Sequence, residues 1–315
     1  MRRRALHWCA AGWSAPCVAG RPAGVLPLRL AVLGIGLIGG SIGLAARTRA
    51  GAQVSGWDPD PDACARALEL GALDESAPDL AGAVSGADVV FVAAPVGGLV
   101  VTVRGALDLA GADAIVTDVG STKRSIAEAI SDPRFVPGHP LAGSEAAGVE
   151  HARADLFEDS TWYLVPVANT PDSLHERLRR LIASLGAEPV EIDADTHDRL
   201  MASVSHLPHV LANLLVAQAA ALLTGDGPAG AGRLATGPSF RDATRVAGSN
   251  SAIWTDIYMS NRDALMAAID ELTARLAQVR ATLADGDAQA LRDWNERART
   301  DHEGLIGEID RQHRV

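Results

Sequence analysis

The chain has 315 residues, 48% of them apolar and 21% charged, and its 28 basic and 39 acidic side chains give a formal net charge of −11. This composition is typical of a soluble globular protein of about two domains. It argues against nucleic-acid and membrane-surface partners, because both need clustered Lys and Arg, and no apolar run comes near the roughly 20 residues of a membrane helix. The three cysteines, two of them near the N-terminus, exclude a disulfide-rich secreted scaffold, so we expect a cytoplasmic protein.

The first 28 residues differ from the rest of the chain. Three consecutive arginines at positions 2–4 and the apolar residues after them imitate a signal peptide, but His7, Gly12 and Pro16 interrupt the apolar core that such a signal needs. We therefore expect either a disordered tail or a gene model that starts too early. Residues 1–28 are left out of the fold prediction for this reason.

Short apolar runs alternate with helical stretches from Arg29 onward. The predicted strands are 29–34, 53–57, 88–93, 114–118, 134–138, 162–165 and 189–192. The predicted helices among them are 37–49, 61–70 and 171–185. Strands that alternate with helices in this way form βαβ units, so residues 29–192 are predicted to be an α/β domain with a doubly wound parallel sheet.

The pattern changes after Ile192, and residues 193–315 are predicted to form an all-helical domain. The helical stretches are 196–223, 253–283 and 288–309, with a break rich in Gly and Pro at 225–232. The first stretch is nearly uncharged, and a helix that is apolar most of the way round must be buried on most faces. In so small a domain this predicts helices that pack across a subunit interface in a homodimer.

A glycine motif of the Rossmann type directly follows the first strand and opens the first helix. In the run GIGLIGGS, Gly34 permits the tight turn, Gly36 lets the backbone approach a pyrophosphate, and Gly39 allows close packing of helix on strand. Asp58 ends the second strand, at the distance where a carboxylate binds the ribose hydroxyls. A glycine-rich turn with a surface aspartate would look similar, but the strand before it and the helix after it favour a dinucleotide site.

The segment around Asp58 favours NAD as the cofactor. Asp58, Asp60 and Asp62 supply three carboxylates with no Arg or Lys among them. The 2′-phosphate of NADP would meet repulsion there and would lack a guanidinium partner. We also assign Leu37 and Ile38, which begin the first helix, and Pro95, which closes the third strand, to the cofactor site.

Two further segments lie at the carboxyl ends of strands, where ligands bind in open α/β sheets. The first, TDVGSTK, contains Ser121, and the second, GHPLAGSE, contains His139 and Glu145. Each has a purely structural explanation as well: Ser121 could cap a helix and His139 could belong to a turn. Both are nevertheless placed to line the reactive end of a bound cofactor.

The helical half contains two more groups of polar residues. His206 and His209 lie on either side of Leu207 and Pro208; proline cannot donate its amide and leaves the carbonyl of Val204 free, so the helix should kink locally. The two histidines could be buried core residues or half of a metal site, but no nearby Cys or Asp cluster completes one, and we predict no metal. The run SFRDATRV could simply be an exposed helix start in which an aspartate pairs with an arginine.

Taken together, these motifs make the sequence recognisable. They stand in the order GIGLIGGS (34–41), TDVGSTK (117–123), GHPLAGSEAAGVE (138–150), SHLPHV (205–210), SFRDATRV (239–246) and IWTDI (253–257). This closely resembles the prephenate/arogenate dehydrogenase family of tyrosine biosynthesis, over about Leu30 to Ile309. The GHPxAGxE and SHLPH motifs are specific, whereas the glycine motif alone would not be.

The resemblance implies an NAD-dependent oxidative decarboxylation of a cyclohexadienol, prephenate to 4-hydroxyphenylpyruvate, with an arogenate-preferring enzyme as the alternative. It implies that His139 is the catalytic histidine and that Ser121 hydrogen-bonds near it. The implied substrate site consists of Arg245, which binds a carboxylate, with His206, His209, Trp254, Glu145 and Asp242. Family members are dimers joined through the helical domain. Many relatives also carry a C-terminal regulatory domain of the ACT type, for which this chain has no room, so we do not expect tyrosine feedback through such a domain.

The chemistry of these residues agrees with the implied reaction. Neutral imidazole is suited to accept a hydroxyl proton near pH 7, and Arg gives an anionic substrate a fixed, bidentate partner. With His139 on the sheet and Arg245 on the helices, the site is expected in the cleft between the domains. Two alternatives remain: a β-hydroxyacid or imine reductase of similar plan, which should carry a Lys or Asp on the long helix, and a non-catalytic NAD sensor, which should lack a chemical residue.

Overall fold

A computed structural model describes residues 27–143, 146–167, 170–224 and 237–312. The predicted tail, except for its last two residues, and the predicted break at 225–232 lie outside the described residues. Six parallel strands form the main sheet in the order β3-β2-β1-β4-β5-β6. They are β1 (Arg29–Leu33), β2 (Gln53–Trp57), β3 (Glu75–Ser76), β4 (Val89–Val92), β5 (Ile115–Asp118) and β6 (Phe135–Val136). The doubly wound parallel sheet predicted from the sequence is therefore confirmed.

Helices cover both faces of this sheet. They are α1 (Leu37–Ala45), α2 (Pro61–Glu69), α3 (Leu80–Val84), α4 (Val96–Leu109), α5 (Arg124–Ala129) and α6 (Asp172–Ser184). Because side chains alternate along a strand, β1 feeds two separate cores: Leu30 and Val32 pack on the side of α1, α2 and α6, while Ala31 and Leu33 pack on the side of α3, α4 and α5. Burial on both faces explains why these strands are apolar throughout.

The last predicted strands form a second, smaller sheet, which corrects the expectation of a single parallel one. Its members are β7 (Gly138–Pro140), β8 (Thr161–Leu164) and β9 (Glu188–Glu191). β7 runs antiparallel to β8, and β8 runs parallel to β9. The predicted strand 134–138 therefore divides into β6 and β7. The division falls at Pro137, which has no amide hydrogen for a sheet ladder, so the chain leaves the main sheet there.

The helical half begins with one nearly continuous helix. Its helices are α7 (Ala194–Met201), α8 (Leu207–Thr224), α9 (Pro238–Thr244), α10 (Ser251–Ser260), α11 (Arg262–Ala284) and α12 (Ala288–Gln312). Between α7 and α8 the helix passes through a π turn, Ala202–His206, in which the amide of Leu207 donates to the carbonyl of Ala202. This is the local disturbance expected next to Pro208. The single helix expected over 253–283 is instead interrupted at Asn261.

The predicted burial of the long apolar helix is wrong for the single chain. Leu214, Leu215, Val216 and Leu222 are each at least 40% exposed. By length and composition alone, the helical segment Ala194–Leu222 could cross a membrane, which also corrects the expectation that no apolar run has that length. The segment includes α7, however, where a histidine and an aspartate are buried inside the protein. An apolar face left open in one chain is also what a subunit interface requires.

Candidate functional site

Three glycines, two in the loop between β1 and α1 and one in the first turn of α1, meet the requirements of a dinucleotide site. Gly34 has φ +96°, and a Cβ there would lie 2.6 Å from the carbonyl oxygen of Ala93. A Cβ on Gly39 would lie 2.0 Å from the carbonyl oxygen of Gly34, so helix and strand could not pack with any other residue. A Cβ on Gly36 would meet no atom within 4 Å. That open space beside a helix N-terminus is where a pyrophosphate fits.

Asp58 is oriented toward this loop. Its Oδ2 accepts the backbone N–H of Ile35 at 2.7 Å, and its Oδ1 accepts the N–H of Asp60 at 2.8 Å. The carboxylate is half-buried and each oxygen keeps a lone pair for a further donor. The geometry therefore fits a carboxylate that accepts hydrogen bonds from ribose hydroxyls next to the glycine loop.

The other residues predicted for the cofactor site surround the same edge of the sheet. Leu37 and Ile38 form the half-buried first turn of α1, where backbone N–H groups have no partner within the helix. Pro95 is exposed and directly precedes α4, in the connection that follows β4. β4 is the neighbour of β1 in the sheet, so both connections open at the same carboxyl edge.

His139 lies on β7, buried, and belongs to a chain of hydrogen-bonded side chains. Its Nδ1 is 2.8 Å from Nε2 of His197, and Nδ1 of His197 is 2.8 Å from Oδ1 of Asp198. The carboxylate of Asp198 also accepts two backbone N–H groups at the start of α5, at 2.8 and 3.0 Å. Tyr163, the cross-strand partner of His139, packs with its ring perpendicular to that of His197. The imidazole of His139 is thus held through α7 as well as through its own strand.

A buried ion pair holds the backbone just before His139. Lys123 is fully buried and forms a salt bridge with Asp118, which is buried at the end of β5. The Lys123 ammonium also donates to the carbonyl of Gly138 at 2.7 Å, and Oδ1 of Asp118 accepts the N–H of Gly138 at 3.1 Å. Burial lowers the pKa of Lys123 and the carboxylate of Asp118 opposes this shift. Both polar backbone groups of Gly138 are therefore bound by the pair.

The environment of His139 favours neutral imidazole. Burial holds the pKa of His139 well below its usual range, and the neighbouring His197, Lys123 and His206 act in the same direction. Burial also lowers the pKa of His206 to about 4. Both rings are therefore uncharged near pH 7, and neutral imidazole has a nitrogen lone pair that can accept a proton.

Asn261 connects His206 to helix α7 through the backbone of Asp198. Its side-chain amide donates to the backbone carbonyl of Asp198 at 2.7 Å and lies 3.1 Å from Nδ1 of His206. Because the amide nitrogen of Asn261 only donates, Nδ1 of His206 accepts, and the ring hydrogen is on Nε2. Among the described residues Nε2 of His206 is buried with no hydrogen-bond partner. Buried donors without a partner are rare in proteins, and an oxygen atom of a bound molecule is one way to satisfy such a group.

Aromatic rings extend this part of the site. Trp254 of α10 stacks on His209, with ring centroids 3.6 Å apart and planes at 6°, and meets the ring of His206 edge-on. The hydroxyl of Tyr258 hydrogen-bonds with Nδ1 of His209. The three predicted residues His206, His209 and Trp254 therefore pack against one another. Within the described part of the chain, no three His, Cys, Asp or Glu side chains are grouped to hold a metal ion.

The two halves of the molecule meet beside these residues. The hydroxyl of Ser260 lies 2.9 Å from that of Thr122 and 3.0 Å from that of Ser125. The amide of Gly97, in the first turn of α4, donates to Asp256 at 3.2 Å. The loop after β5 and the first turn of α4 are thus in contact with α10 of the helical half.

Four further residues were predicted for the site: Ser121, Asp242, Arg245 and Glu145. Ser121 is half-buried in the loop between β5 and α5. Asp242 is exposed on α9, and Arg245 is exposed in the short helical turn that follows α9 and packs on α8. Glu145 lies outside the described residues. The roles given to these four residues stay predictions.

Sequence reasoning missed the residues that hold the predicted ones in place: His197, Asp198, Lys123, Asn261 and Tyr258. Lys123 stands inside the motif TDVGSTK, but a lysine in a loop is usually exposed. The adjacent His197 and Asp198, one turn after the helix cap at Asp193, are the signal that could have been found. A histidine next to a carboxylate at a domain boundary is a reasonable candidate for an oriented base.

Comparison with known families gives matches over both halves of the chain. Residues 42–191 match the family model of the nucleotide-binding domain of prephenate dehydrogenase. Residues 193–296 match that of its dimerization domain. Together the two models cover most of the chain.

Three similar proteins are informative. The prephenate dehydrogenase of Bacillus subtilis (strain 168) is 33% identical over 288 residues, which cover 86% of this chain and 74% of the relative. The crystal structure of A. aeolicus prephenate dehydrogenase with hydroxyphenyl propionate and NAD+ has a TM-score of 0.83 at 26% identity, over 90% of this chain and 99% of the other. The crystal structure of Synechocystis arogenate dehydrogenase has a TM-score of 0.75 at 29% identity, over 88% and 100%.

Proposed function

Because the chain belongs to the prephenate dehydrogenase family, a family of oxidoreductases, we propose that it oxidises prephenate with NAD and releases CO2 and 4-hydroxyphenylpyruvate. The observation that carries this proposal is the buried imidazole of His139, whose pKa is held well below its usual range by burial and which is close enough to His206 to be influenced by it. A ring hydroxyl needs such an acceptor when its carbon is oxidised. The similarity to a prephenate dehydrogenase with bound NAD+ supports the choice of cofactor.

Each residue has a distinct role in the proposed reaction. The bound NAD would accept a hydride from the carbon that bears the ring hydroxyl. His139 accepts the hydroxyl proton, Ser121 hydrogen-bonds near that oxygen, and the Nε2–H of His206 is free to donate to an oxygen of the substrate. Arg245 binds a substrate carboxylate. As the carbonyl forms, the bond to the ring carboxylate breaks, its electrons enter the ring, and the ring becomes aromatic.

The choice between prephenate and arogenate is tested by steady-state kinetics with both substrates. We expect NADH formation from prephenate with the higher kcat/KM. A higher kcat/KM for arogenate would favour an arogenate-preferring enzyme instead. The similarity to an arogenate dehydrogenase supports testing this second substrate. Turnover of β-hydroxyacids in place of both cyclohexadienols would contradict the proposed function altogether.

Cofactor choice is expected to depend on Asp58. We predict a preference for NAD over NADP of at least roughly tenfold in kcat/KM, since a lost ribose contact and added repulsion together cost more than about 1.4 kcal/mol. Asp58→Ser should narrow the preference, whereas Asp108→Ser, an exposed aspartate on α4, should leave it unchanged. Equal kcat/KM for the two cofactors in the unsubstituted enzyme would refute the role of Asp58.

The proposed assembly is a cytoplasmic homodimer joined through the helical half. It is supported by the match of residues 193–296 to a dimerization domain and by the exposed apolar face of α8. The proposed partners are therefore a second copy of the chain and a small-molecule substrate.

A further inference from the structure

We propose that His197, as a neutral imidazole oriented by Asp198, is a positioning residue that fixes the tautomer of His139. In this arrangement Nδ1 of His139 carries the hydrogen, and Nε2 is the nitrogen that accepts the hydroxyl proton. The inference rests on the proposed role of His139 as proton acceptor and adds which of its nitrogens acts and what determines it. Neither His197 nor Asp198 touches the substrate in this proposal.

Asp198 determines the direction of the hydrogen bonds in this chain of side chains, because an ionised carboxylate can only accept hydrogen bonds. Burial disfavours its charge, but the hydrogen bonds from His197 and from the backbone N–H groups of Lys123 and Arg124 outweigh burial, and the pKa of Asp198 is lowered. The carboxylate is therefore ionised near pH 7. Since Oδ1 lies 2.8 Å from Nδ1 of His197, that nitrogen must carry a hydrogen and donate it.

In the proposed arrangement His197 carries this one ring hydrogen only. With the hydrogen of His197 on Nδ1, its Nε2 has a lone pair and accepts. Nδ1 of His139, 2.8 Å away, must then be the donor, which leaves the lone pair of His139 on Nε2. With its hydrogen on Nε2, a neutral His139 would offer the substrate hydroxyl a donor and could not take its proton.

Packing keeps both rings from rotating out of this arrangement. His197 is 0% exposed and His139 is 8% exposed. The two rings meet at 70° with centroids 5.1 Å apart, and Tyr163 closes the other side of His197 at 5.7 Å and 87°. A ring flip at either histidine would also leave a buried nitrogen without its partner, which is unfavourable.

Three variants separate tautomer control from simple packing. His197→Phe keeps a buried ring but removes the acceptor for Nδ1 of His139. His197→Gln replaces it with an amide whose oxygen can accept the same hydrogen but cannot be protonated. His175→Gln is the matched control, since His175 is a half-buried histidine on α6 whose Nδ1 lies 3.6 Å from a carboxylate oxygen of Glu191.

The direct readout is the ¹⁵N spectrum of histidine-labelled enzyme without substrate, near pH 7. We expect the Nδ1–H signature for His139 in the unsubstituted protein, in His197→Gln and in the control, and its loss in His197→Phe. An Nε2–H tautomer at His139, or an imidazolium at His197, in the unsubstituted protein would overturn the proposal. This readout needs no turnover, so it stands or falls independently of the proposed substrate.

Kinetics then test the consequence. His197→Phe should lower kcat by on the order of 10²-fold or more, within the usual range of general-base contributions, while KM changes little, because the interaction acts in the transition state. His197→Gln should recover most of kcat, and the control should lose none. Full kcat in His197→Phe would contradict a positioning role. Equal losses in both His197 variants would also contradict it and would indicate a structural role alone.

Discussion

At the scale of single residues, burial and hydrogen-bond direction decide the chemistry of the histidines. His139 and His206 are both buried and neutral, yet their neighbours give them opposite capacities. His139 donates through Nδ1 in the proposed tautomer and keeps a lone pair on Nε2. The hydrogen bond from Asn261 makes Nδ1 of His206 an acceptor and leaves Nε2–H as a donor. One histidine is thus suited to accept a proton and the other to hold an oxygen.

His139 and Arg245 should differ in kinetic signature. His139 acts mainly in the transition state, so His139→Asn should lower kcat by on the order of 10²–10⁴-fold with little change in KM. Its pH profile should also lose the acidic limb, because the titrating imidazole is gone. In the unsubstituted enzyme that limb should lie below the usual range of histidine, since burial lowers the pKa of His139.

Arg245 is proposed to bind a carboxylate in ground and transition states alike. Arg245→Gln should therefore raise KM by on the order of tenfold to several hundredfold, as loss of a charge-assisted contact costs about 1.5–3 kcal/mol, with a smaller effect on kcat. Steady-state kinetics on both variants check the two predictions together. If His139→Asn raised only KM and kept its acidic limb, the base would be another residue, and His206 and His209 would be the next candidates.

The pKa of His206 predicts how stability depends on pH. Its pKa is about 4 in the folded chain and near 6.5 when unfolded, so the unfolded state binds more protons between these values. Stability is therefore present above pH 6.5 and is lost as pH falls toward 4, by about 3 kcal/mol for this one group. Urea unfolding at pH 7 and pH 4, at fixed protein concentration, should show a smaller loss in His206→Gln than in the unsubstituted protein.

The control for this measurement is His302→Gln, which replaces an exposed histidine on α12. It should lose as much stability between the two pH values as the unsubstituted protein. Identical losses in His206→Gln and His302→Gln would show that His206 does not titrate at the low pKa that burial gives it.

At the scale of elements, the ends of β5 and β7 are joined by the pair of Lys123 and Asp118. β7 begins where the chain leaves the main sheet, and both backbone groups of Gly138 are bound by this pair. Gly138 is also sterically required, since a Cβ there would lie 2.8 Å from the carbonyl oxygen of Asp118. The strand that carries His139 is thereby fixed to the sheet that carries the cofactor loop.

Removal of either charge of the Lys123–Asp118 pair should lower the stability of the fold. Lys123→Met leaves the carboxylate of Asp118 buried without its cation, and single losses of this kind cost on the order of 3–5 kcal/mol. Asp118→Asn likewise leaves the Lys123 ammonium buried without its anion. The double variant should be less destabilised than the sum of the two, because it buries no unpaired charge. Urea unfolding of the three variants measures this coupling, and strictly additive losses would refute it.

At the scale of the whole molecule, the helical half of a single chain leaves much of its apolar surface exposed. Large apolar side chains on α8, α11 and α12 remain exposed, among them Leu222 (72%), Leu283 (60%) and Leu305 (65%). The nucleotide-binding half has two well-defined cores instead. This asymmetry supports the proposal that a second copy covers the helical half.

A charge on the exposed face of α8 should therefore weaken assembly. Leu214, 59% exposed on α8, is the test position: Leu214→Glu should shift the protein toward monomers in light scattering at micromolar concentration. Activity should fall with it, since α8 also carries His209. Val101→Glu, at a 76% exposed position on α4 of the other half, is the matched control and should stay dimeric. An unsubstituted protein that is monomeric and fully active would refute the proposed dimer.

The sequence by itself determined the features whose causes are local. The glycine loop and Asp58 could be predicted because a strand, a tight turn and a helix start impose their residue types within one βαβ unit. The disturbance at Pro208 could be predicted because proline lacks an amide hydrogen. The motifs around His139, His206 and His209 likewise stood out as short runs of residues.

Only the tertiary structure decided which distant residues meet. His139 and His197 are 58 positions apart, and Asn261 binds Asp198 from the junction of α10 and α11; no periodicity links such residues. The pairing of β7 with β8 likewise joins segments that are distant in the chain. Buried polar groups must find partners, and packing of the whole chain, not local propensity, determines which partners are within reach.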